Sequence, residues 1–354
     1  MKKIFLLLSA SFLLMACPPE TIDPPVYNKD YGDGLYILTE NGVNFYDLSK
    51  DTLKEDIFTT VNSSSLINPS SMNTYGNKIY LVTANTFYSV DPETFYSEFS
   101  VGGFTNAQQS EYAKFDRFYV TDKGESEIKV VDMDTRSVIA HIKTGESVNP
   151  TGIVVNWGRS FVINSGSDDI TDYDSTLVAV DLKDGVIPLN DFVGNVIIGK
   201  NPSSVFNDGN IVVLCRGIYD ETNPANNEES SYHRIGSGSL NVLSSSTLSN
   251  IYNADNLCAN SSVSKFYFTT SDGVYQINTS GGLNPIQVIP MVSDVLLTNM
   301  EQYNPTDTTT SYTNMLYLND ALNNPNTLYK YNESLSLFVD TIQLNADIID
   351  LLIY

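Results

Sequence analysis

Histidine occurs twice in the 354 residues and tryptophan once, and the 19 lysines and arginines face 42 acidic residues. With only His141 and His233 present, a histidine-rich metal centre cannot be assembled, and His141 falls in an outer strand whose neighbours suggest exposure. No glycine-rich phosphate loop, serine-centred elbow or paired-carboxylate motif can be placed, so the chain reads as a non-enzyme that needs no cofactor. The shortage of basic residues leaves a formal charge of −23. That balance argues against nucleic acid and against a polybasic hold on anionic lipid. Cysteine is confined to Cys17, Cys215 and Cys258, at spacings that match no metal motif. Cys215 and Cys258 could pair in an oxidising compartment, and read better as two small buried hydrophobes. Long apolar runs are missing too, apart from Ile4 to Met15, which is too short to cross a bilayer.

What is present is repetition. Tyrosine (22) and phenylalanine (16) are plentiful and suit strand packing. They recur in a short strand followed by a polar turn, as in Gly34-Leu35-Tyr36-Ile37-Leu38, Lys78-Ile79-Tyr80-Leu81-Val82 and Arg117-Phe118-Tyr119-Val120-Thr121. Taking Tyr36, Tyr80, Tyr119, Val162, Val212, Tyr267 and Tyr317 as markers gives steps of 44, 39, 43, 50, 55 and 50 residues. A period of this size in an all-β chain predicts a seven-bladed β-propeller. After each marker come a polar turn and a strand that usually ends in Asp, such as Asp47, Asp91, Asp132 and Asp181, expected to cap the tight turn that follows. In the fifth copy Leu240-Asn241-Val242-Leu243 is assigned this place.

Between copies stands Asn-Pro or a variant, leading into an apolar strand: Asn68-Pro69, Asn149-Pro150, Asn201-Pro202 and, loosely, Asn106-Ala107. The first copy has no such strand before Gly34, while a surplus one follows Asp347. Asp347 to Tyr354 is therefore expected to complete the first blade and close the ring, which removes an exposed edge. One domain is inferred over residues 26–354.

The amino terminus stands apart. Met1-Lys2-Lys3, the apolar stretch and Leu14-Met15-Ala16-Cys17 resemble the signal and lipobox of bacterial lipoproteins. The resemblance implies cleavage after residue 16, lipidation of Cys17 and a lipid anchor. Residues 17–25, with Pro18, Pro19, Pro24 and Pro25, read as an extended tether. The third copy, Phe118-Tyr119-Val120-Thr121-Asp122 through Val130-Val131-Asp132 and on to Asn149-Pro150-Thr151-Gly152, resembles the YVTN-type repeat of exported seven-bladed propellers. The lipobox, the tether and the opening Gly34 to Gly42 are similar to the propeller lipoproteins of Bacteroidota, with Thr39 where the related opening often has Asn. That likeness implies an outer-membrane, cell-surface protein. It would capture cobalamin or another corrinoid and deliver it to a TonB-dependent transporter.

In such a ring, loops entering the innermost strand share a face with loops joining the second and third strands. That face carries the long insertions, Gly166–Asp174 and Arg216–Gly238. Long loops on a rigid scaffold carry function. The ligand-binding candidates are therefore Asp168, Tyr173, Arg216, Tyr219, Tyr232 and Arg234, with Asp122 and Asp320 from shorter loops. Asn68, Asn106, Asn149 and Asn201 should lie nearer the axis, where their amides could bond a ligand or cap turns beside proline. The cluster Asp168, Asp169, Asp172 and Asp174 offers oxygen ligands for calcium but lacks the glycine and glutamate of an EF-hand, and reads better as a solvated turn. A protein- or glycan-binding adhesion module is the alternative function, and a lactonase-type hydrolase the third.

Overall fold

In the computed structural model the described residues are 27–146, 148–156, 158–167, 169–182, 192–279, 284–302 and 312–354. The expected signal, lipidation position Cys17 and tether lie outside them, as does Asp168. Among the described residues, twenty-eight strands form seven antiparallel four-stranded sheets arranged as a propeller. Blade 1 takes its innermost strand from the end of the chain: Ile348–Ile353 pairs with Leu35–Thr39, as the surplus strand predicts. Blades 2 to 7 begin with inner strands at Pro69, Ala107, Pro150, Pro202, Asp255 and Leu296.

The core consists of seven clusters, one between each pair of neighbouring blades. Tyr36 and Leu38 meet Ile79 and Leu81, Tyr80 and Val82 meet Phe118 and Val120, and so on around to Tyr317 against Leu35 and Ile37. A second strand alternates its side chains between the cluster ahead and the cluster behind. The residues facing ahead are Tyr36, Tyr80, Tyr119, Phe161, Val212, Tyr267 and Tyr317. The fourth marker is thus Phe161 and not Val162, which points back towards blade 3 with Tyr119. Both residues are apolar and fully buried, so the period alone could not choose between them; a one-residue slip exchanges the faces. Each buried aromatic ring contributes about 1.5–3 kcal/mol relative to exposure. Tyrosine is tolerated where its hydroxyl finds a partner. Tyr36 donates to the Pro92 carbonyl at 2.9 Å, in the turn of the next blade.

Asp47, Asp91 and Asp132 cap turns as expected, whereas Asp181 accepts from Arg159 and the turn after it lies outside the described residues. Asp91 accepts from the Thr94 amide at 3.0 Å and Asp132 from the Thr135 amide at 2.8 Å, and Asn332 does the same for Leu335. One piece was not foreseen: a short helix, Ile57–Asn62, buries Ile57 and Phe58 against the cluster between blades 1 and 2. Cys215 and Cys258 are free thiols, and burial pushes Cys215 up to about 12.

Candidate functional site

One backbone hydrogen bond recurs in all seven blades. The first residue past the second strand, or in blade 4 the strand's penultimate residue, donates its N–H to the carbonyl of a residue just before the innermost strand. The pairs are Glu40 to Asp347, Ala84 to Asn68, Lys123 to Asn106, Ser165 to Asn149, Arg216 to Asn201, Ser271 to Tyr252 and Ala321 to Val292, at 2.9–3.3 Å. This bond ties the two kinds of loop together on one face, which is the arrangement the repeat implied. It also explains the asparagines. Asn68, Asn149 and Asn201 hold φ of 49°, 49° and 51°, a left-handed conformation that Asn accepts more readily than most residues. Their main role is to turn the chain into the inner strand.

On this face the axis opens into a cavity of about 600 Å³, with contributions from every blade. Ser70 and Ser71, Gln108 and Gln109, Thr151, and Ser203 and Ser204 supply hydroxyls and amides from blades 2 to 5. Asp255 and Asn256, Leu296, and Ile349 and Asp350 complete the circle from blades 6, 7 and 1. Many of these side chains also stitch neighbouring inner strands. Asp350 accepts from the Met72 amide (2.7 Å), Ser71 donates to the Gln108 carbonyl (2.8 Å), and Gln109 accepts from the Ile153 amide (2.9 Å). Ser204 donates to Asp255 (3.0 Å), and the Asn256 amide to the Asp294 carbonyl (2.9 Å). The wall is held in place by the scaffold's own bonds, so a ligand seated there would lose little ordering entropy.

The charged groups are few and placed. Arg216 pairs with Asp255 of the next blade, its Nε 3.1 Å from Oδ2, and both line the cavity together with Lys123 and Asp350. Burial raises Asp350 to about 6, against the opposing pull of the Met72 and Leu351 amides. Deeper between blades 2 and 3, burial raises Glu111 to about 7, with the Asn73 amide at 3.0 Å from its carboxyl.

The two insertions are built alike. Each starts one residue past the recurring bond with a glycine in the left-handed region, Gly166 (φ 79°) and Gly217 (φ 74°). A Cβ there would meet the Asp174 amide nitrogen and the Glu228 carbonyl at 2.2 Å each, so only glycine lets the insertion fold back on its own neck. The blade 5 insertion is then locked by Asp220, whose carboxylate accepts from the Thr222 and Asn223 amides (2.9 Å each) and from the Asn226 side chain (2.9 Å). In the blade 4 turn Asp169 accepts from the Thr171 amide and Asp174 from those of Ser175 and Thr176, so both carboxylates bond their own turn.

Of the predicted residues, Arg216, Tyr173 and Asn201 line the cavity. Tyr219 stands outside its wall, 40 % exposed and packed on Tyr252 with ring centroids 5.4 Å apart. The other placements need correction. The third strand of blade 5 is Ser231–Ile235, so the insertion ends at Ser230, and Leu240 to Leu243 leads into the fourth strand. Tyr232 is buried in the cluster between blades 5 and 6, and Arg234 pairs at 2.9 Å with Asp208 in a turn on the opposite face. Polar Ser231, His233 and Arg234 disguised this strand as loop. His233 is itself buried, with its Nε2 2.9 Å from the Ser231 hydroxyl, and burial lowers it to about 4. Asp122 is wholly buried, receiving the Thr105, Asn106 and Gly124 amides and the Lys129 ammonium (2.8 Å). Asp320 caps its own turn by accepting from the Asn323 amide (3.1 Å). Asn68, Asn106 and Asn149 do not line the cavity: the Asn106 carboxamide oxygen accepts from Gln108, and the Asn149 amide donates to the Gly166 carbonyl.

The residues that were missed carry a simple signal. Ser70 and Ser71, Gln108 and Gln109, Thr151 and Gly152, Ser203 and Ser204, and Ile349 and Asp350 stand two and three positions after Asn68, Asn106, Asn149, Asn201 and Asp347. The repeat therefore marks the cavity through its neighbours. A further unforeseen cluster, Glu125, Glu127 and His141, brings ligand atoms within 4.8 Å of one another, but the Lys129 ammonium already lies 3.0 Å from Glu125 and 3.8 Å from Glu127. His141 is exposed, as expected, with its Nδ1 2.6 Å from Glu127.

No protein-family profile and no curated protein matches the sequence. Solved propellers do resemble the fold. A quinonprotein alcohol dehydrogenase-like protein from Bacteroides thetaiotaomicron is 15 % identical with a TM-score of 0.66, over 92 % of this chain and 79 % of its own. Hydrazine synthase from Kuenenia stuttgartiensis is 13 % identical with a TM-score of 0.61, over 81 % and 90 %. Apo AztD from Citrobacter koseri is 10 % identical with a TM-score of 0.55, over 90 % and 83 %. At these identities the likeness concerns the fold alone, and it is a fold on which enzymes also occur.

Proposed function

We propose that this chain is a non-catalytic capture protein that holds a small polar ligand in the axial cavity, that the ligand is a corrinoid, and that a TonB-dependent outer-membrane transporter receives it. The observation that carries this reading is the cavity itself: about 600 Å³, contributed to by all seven blades, with amides and hydroxyls outnumbering charges. Ligand sites of this size take drug-sized molecules with a few polar groups fixing orientation, so a corrinoid, which is larger, would seat part of its ring there and leave the rest above the rim. A corrinoid is a flat ring fringed with carboxamides, and Gln108, Gln109, Asn201, Asn256 and the surrounding serines offer matching donors and acceptors. Among the described residues the cavity wall holds no histidine, and the Asp255 carboxylate that accepts from Ser204 is also paired with Arg216, which favours holding over turnover. Lipidation at Cys17 would keep the propeller beside its transporter and raise the effective concentration of captured ligand there.

Calorimetry and absorbance titration of the mature chain with cobalamin, cobinamide and haem test the ligand. Saturable heat with the two corrinoids and none with haem is expected, and no heat with any of the three removes the corrinoid. Copurification from solubilised membranes tests the recipient. A TonB-dependent channel supports uptake, whereas host or matrix proteins would support the adhesion reading instead.

A further inference from the structure

Beside the axial cavity lies a second one of about 380 Å³, on the same face between blades 6 and 7. Arg216, Asp255 and Asn256 line both. The ion pair is therefore a partition one side chain thick, with a chamber of roughly twenty waters' volume on one side and roughly a dozen on the other. The chemistry differs across it. The axial chamber has cations and carboxylates mixed among its amides. The side chamber keeps the shared Arg216–Asp255 pair and adds the Asp294 carboxyl, the Asn253 carboxamide and the Ser271 hydroxyl, while the Asn256 amide is committed to Thr269 and the Asp294 carbonyl.

We infer that the side chamber is a second subsite, shaped for a sugar-like arm carrying adjacent hydroxyls on a ligand whose body fills the axial chamber. Adjacent hydroxyls donate as a pair to a carboxylate and accept from an amide, and the side chamber gathers both kinds of group. Position supports the same conclusion. A group attached to a ligand in the axial chamber needs only to pass Arg216 and Asp255, which border both chambers, and Asp255 also accepts from Ser204 on the axial side. The Asp294 carboxyl is raised above its usual range, by burial first and then by Asp255 and Asp347, so it holds its proton more readily and can donate to a hydroxyl as well as accept from one. The inference rests on the axial site proposed above for the two chambers to act together, although the side chamber can be examined on its own.

The test uses the mature protein, Ser271→Trp to fill the side chamber at an exposed position, and Gln108→Trp to narrow the axial one. Free ribose is the first probe, followed by NMR through the Asn253 side-chain amide and the backbone amide of residue 271. Ribose at tens of millimolar should move these signals in the wild type and in Gln108→Trp, and should leave them unmoved in Ser271→Trp. Unmoved signals in the wild type, or movement confined to the Gln108 and Gln109 amides, overturn the subsite. The second probe is a pair of corrinoids, adenosylcobalamin, whose adenosyl ribose carries adjacent 2′ and 3′ hydroxyls, and methylcobalamin, which lacks that sugar. Ser271→Trp should weaken adenosylcobalamin about tenfold and leave methylcobalamin unchanged; equal effects on both overturn the coupling of the chambers. If the wild type binds neither corrinoid, the ligand reading fails by itself and the ribose result alone decides the subsite.

Discussion

Two turns at the same place in the repeat, those leaving the second strands of blades 3 and 5, both gather charge, and they use it in opposite ways. In blade 3 the carboxylate of Asp122 turns inward. It is wholly buried, takes three backbone amides, and pairs with Lys129, whose side chain is 2 % exposed and whose Nζ also donates to the Gly103 carbonyl at 2.7 Å. Burial works to lower Lys129, but the bonds to Asp122 and Glu125 prevail and hold it above its usual value. In blade 5 the position of Asp122 is taken by Cys215, and the charge moves one residue on, to Arg216. Its partner is Asp255 on the inner strand of the next blade, so the pair spans a blade junction and fronts both cavities. Where the partner stands decides the outcome. A partner within the blade draws the charge into the scaffold, and a partner on the neighbouring inner strand draws it to the axis.

The sharpest way to break this contrast is Lys129→Met. If blade 3 holds a structural ion cluster, the substitution leaves the buried Asp122 without its ammonium partner and should cost about 3–5 kcal/mol, read from urea unfolding. Adding Asp122→Asn should recover part of it. A neutral Lys129→Met would mean that blade 3 is as open as blade 5. Next in size is Asp350, which sits on the axis and has backbone amides where Asp122 has a lysine. Its folded value of about 6 lies above the usual 3.8, so the fold favours the protonated acid. That contribution is complete below about pH 3.8 and is lost as the pH rises through about 6. Asp350→Asn cannot ionise and keeps an acceptor for the Met72 amide. Melting temperatures between about pH 4 and pH 7 should therefore fall less steeply than in the wild type, with a difference on the order of 1–3 kcal/mol by pH 7. Parallel curves would place that carboxyl in water.

Arg216→Ala comes third in stability and first in binding. A half-exposed pair contributes about 0–1 kcal/mol, so melting should barely change, while cobalamin affinity should drop about tenfold. Loss of stability without loss of affinity would reverse the roles of the two turns. The contrast was not visible in the sequence, where Asp122-Lys123 and Cys215-Arg216 are simply residues after a strand. Regular features were legible: the count of blades, the closing strand, the turn-capping Asp residues and the face on which the loops gather. They depend on local periodicity and on backbone bonds that every blade must satisfy. Phe161 against Val162 and the strand Ser231–Ile235 were misplaced because they are decided by contacts between blades, which period and polarity do not encode. The cavity wall was missed for a related reason. Ser, Gln and Thr beside an Asn-Pro turn look like ordinary turn residues until the ring brings seven such turns to one axis.

The smallest effect is expected at Asn68, and it separates turning the chain from touching the ligand. Asn68 has φ of 49°, its carbonyl takes the Ala84 amide at 2.9 Å, and its side chain is exposed and outside the cavity wall. If its role is conformational, glycine, which adopts positive φ freely, should replace it at a cost of about a few tenths of a kcal/mol. Alanine should cost about 1 kcal/mol, because its Cβ resists the left-handed region. Neither should change cobalamin affinity beyond about twofold. At Asn201, which has φ of 51° but lines the cavity, glycine should be equally well tolerated for folding and should weaken binding by removing the carboxamide. Paired melts and titrations of Asn68→Gly and Asn201→Gly thus compare one backbone requirement in two settings. If Asn68→Gly lost affinity as Asn201→Gly should, the ligand would reach beyond the axial cavity to the blade 2 rim, and the boundary between scaffold and site would move outward with it.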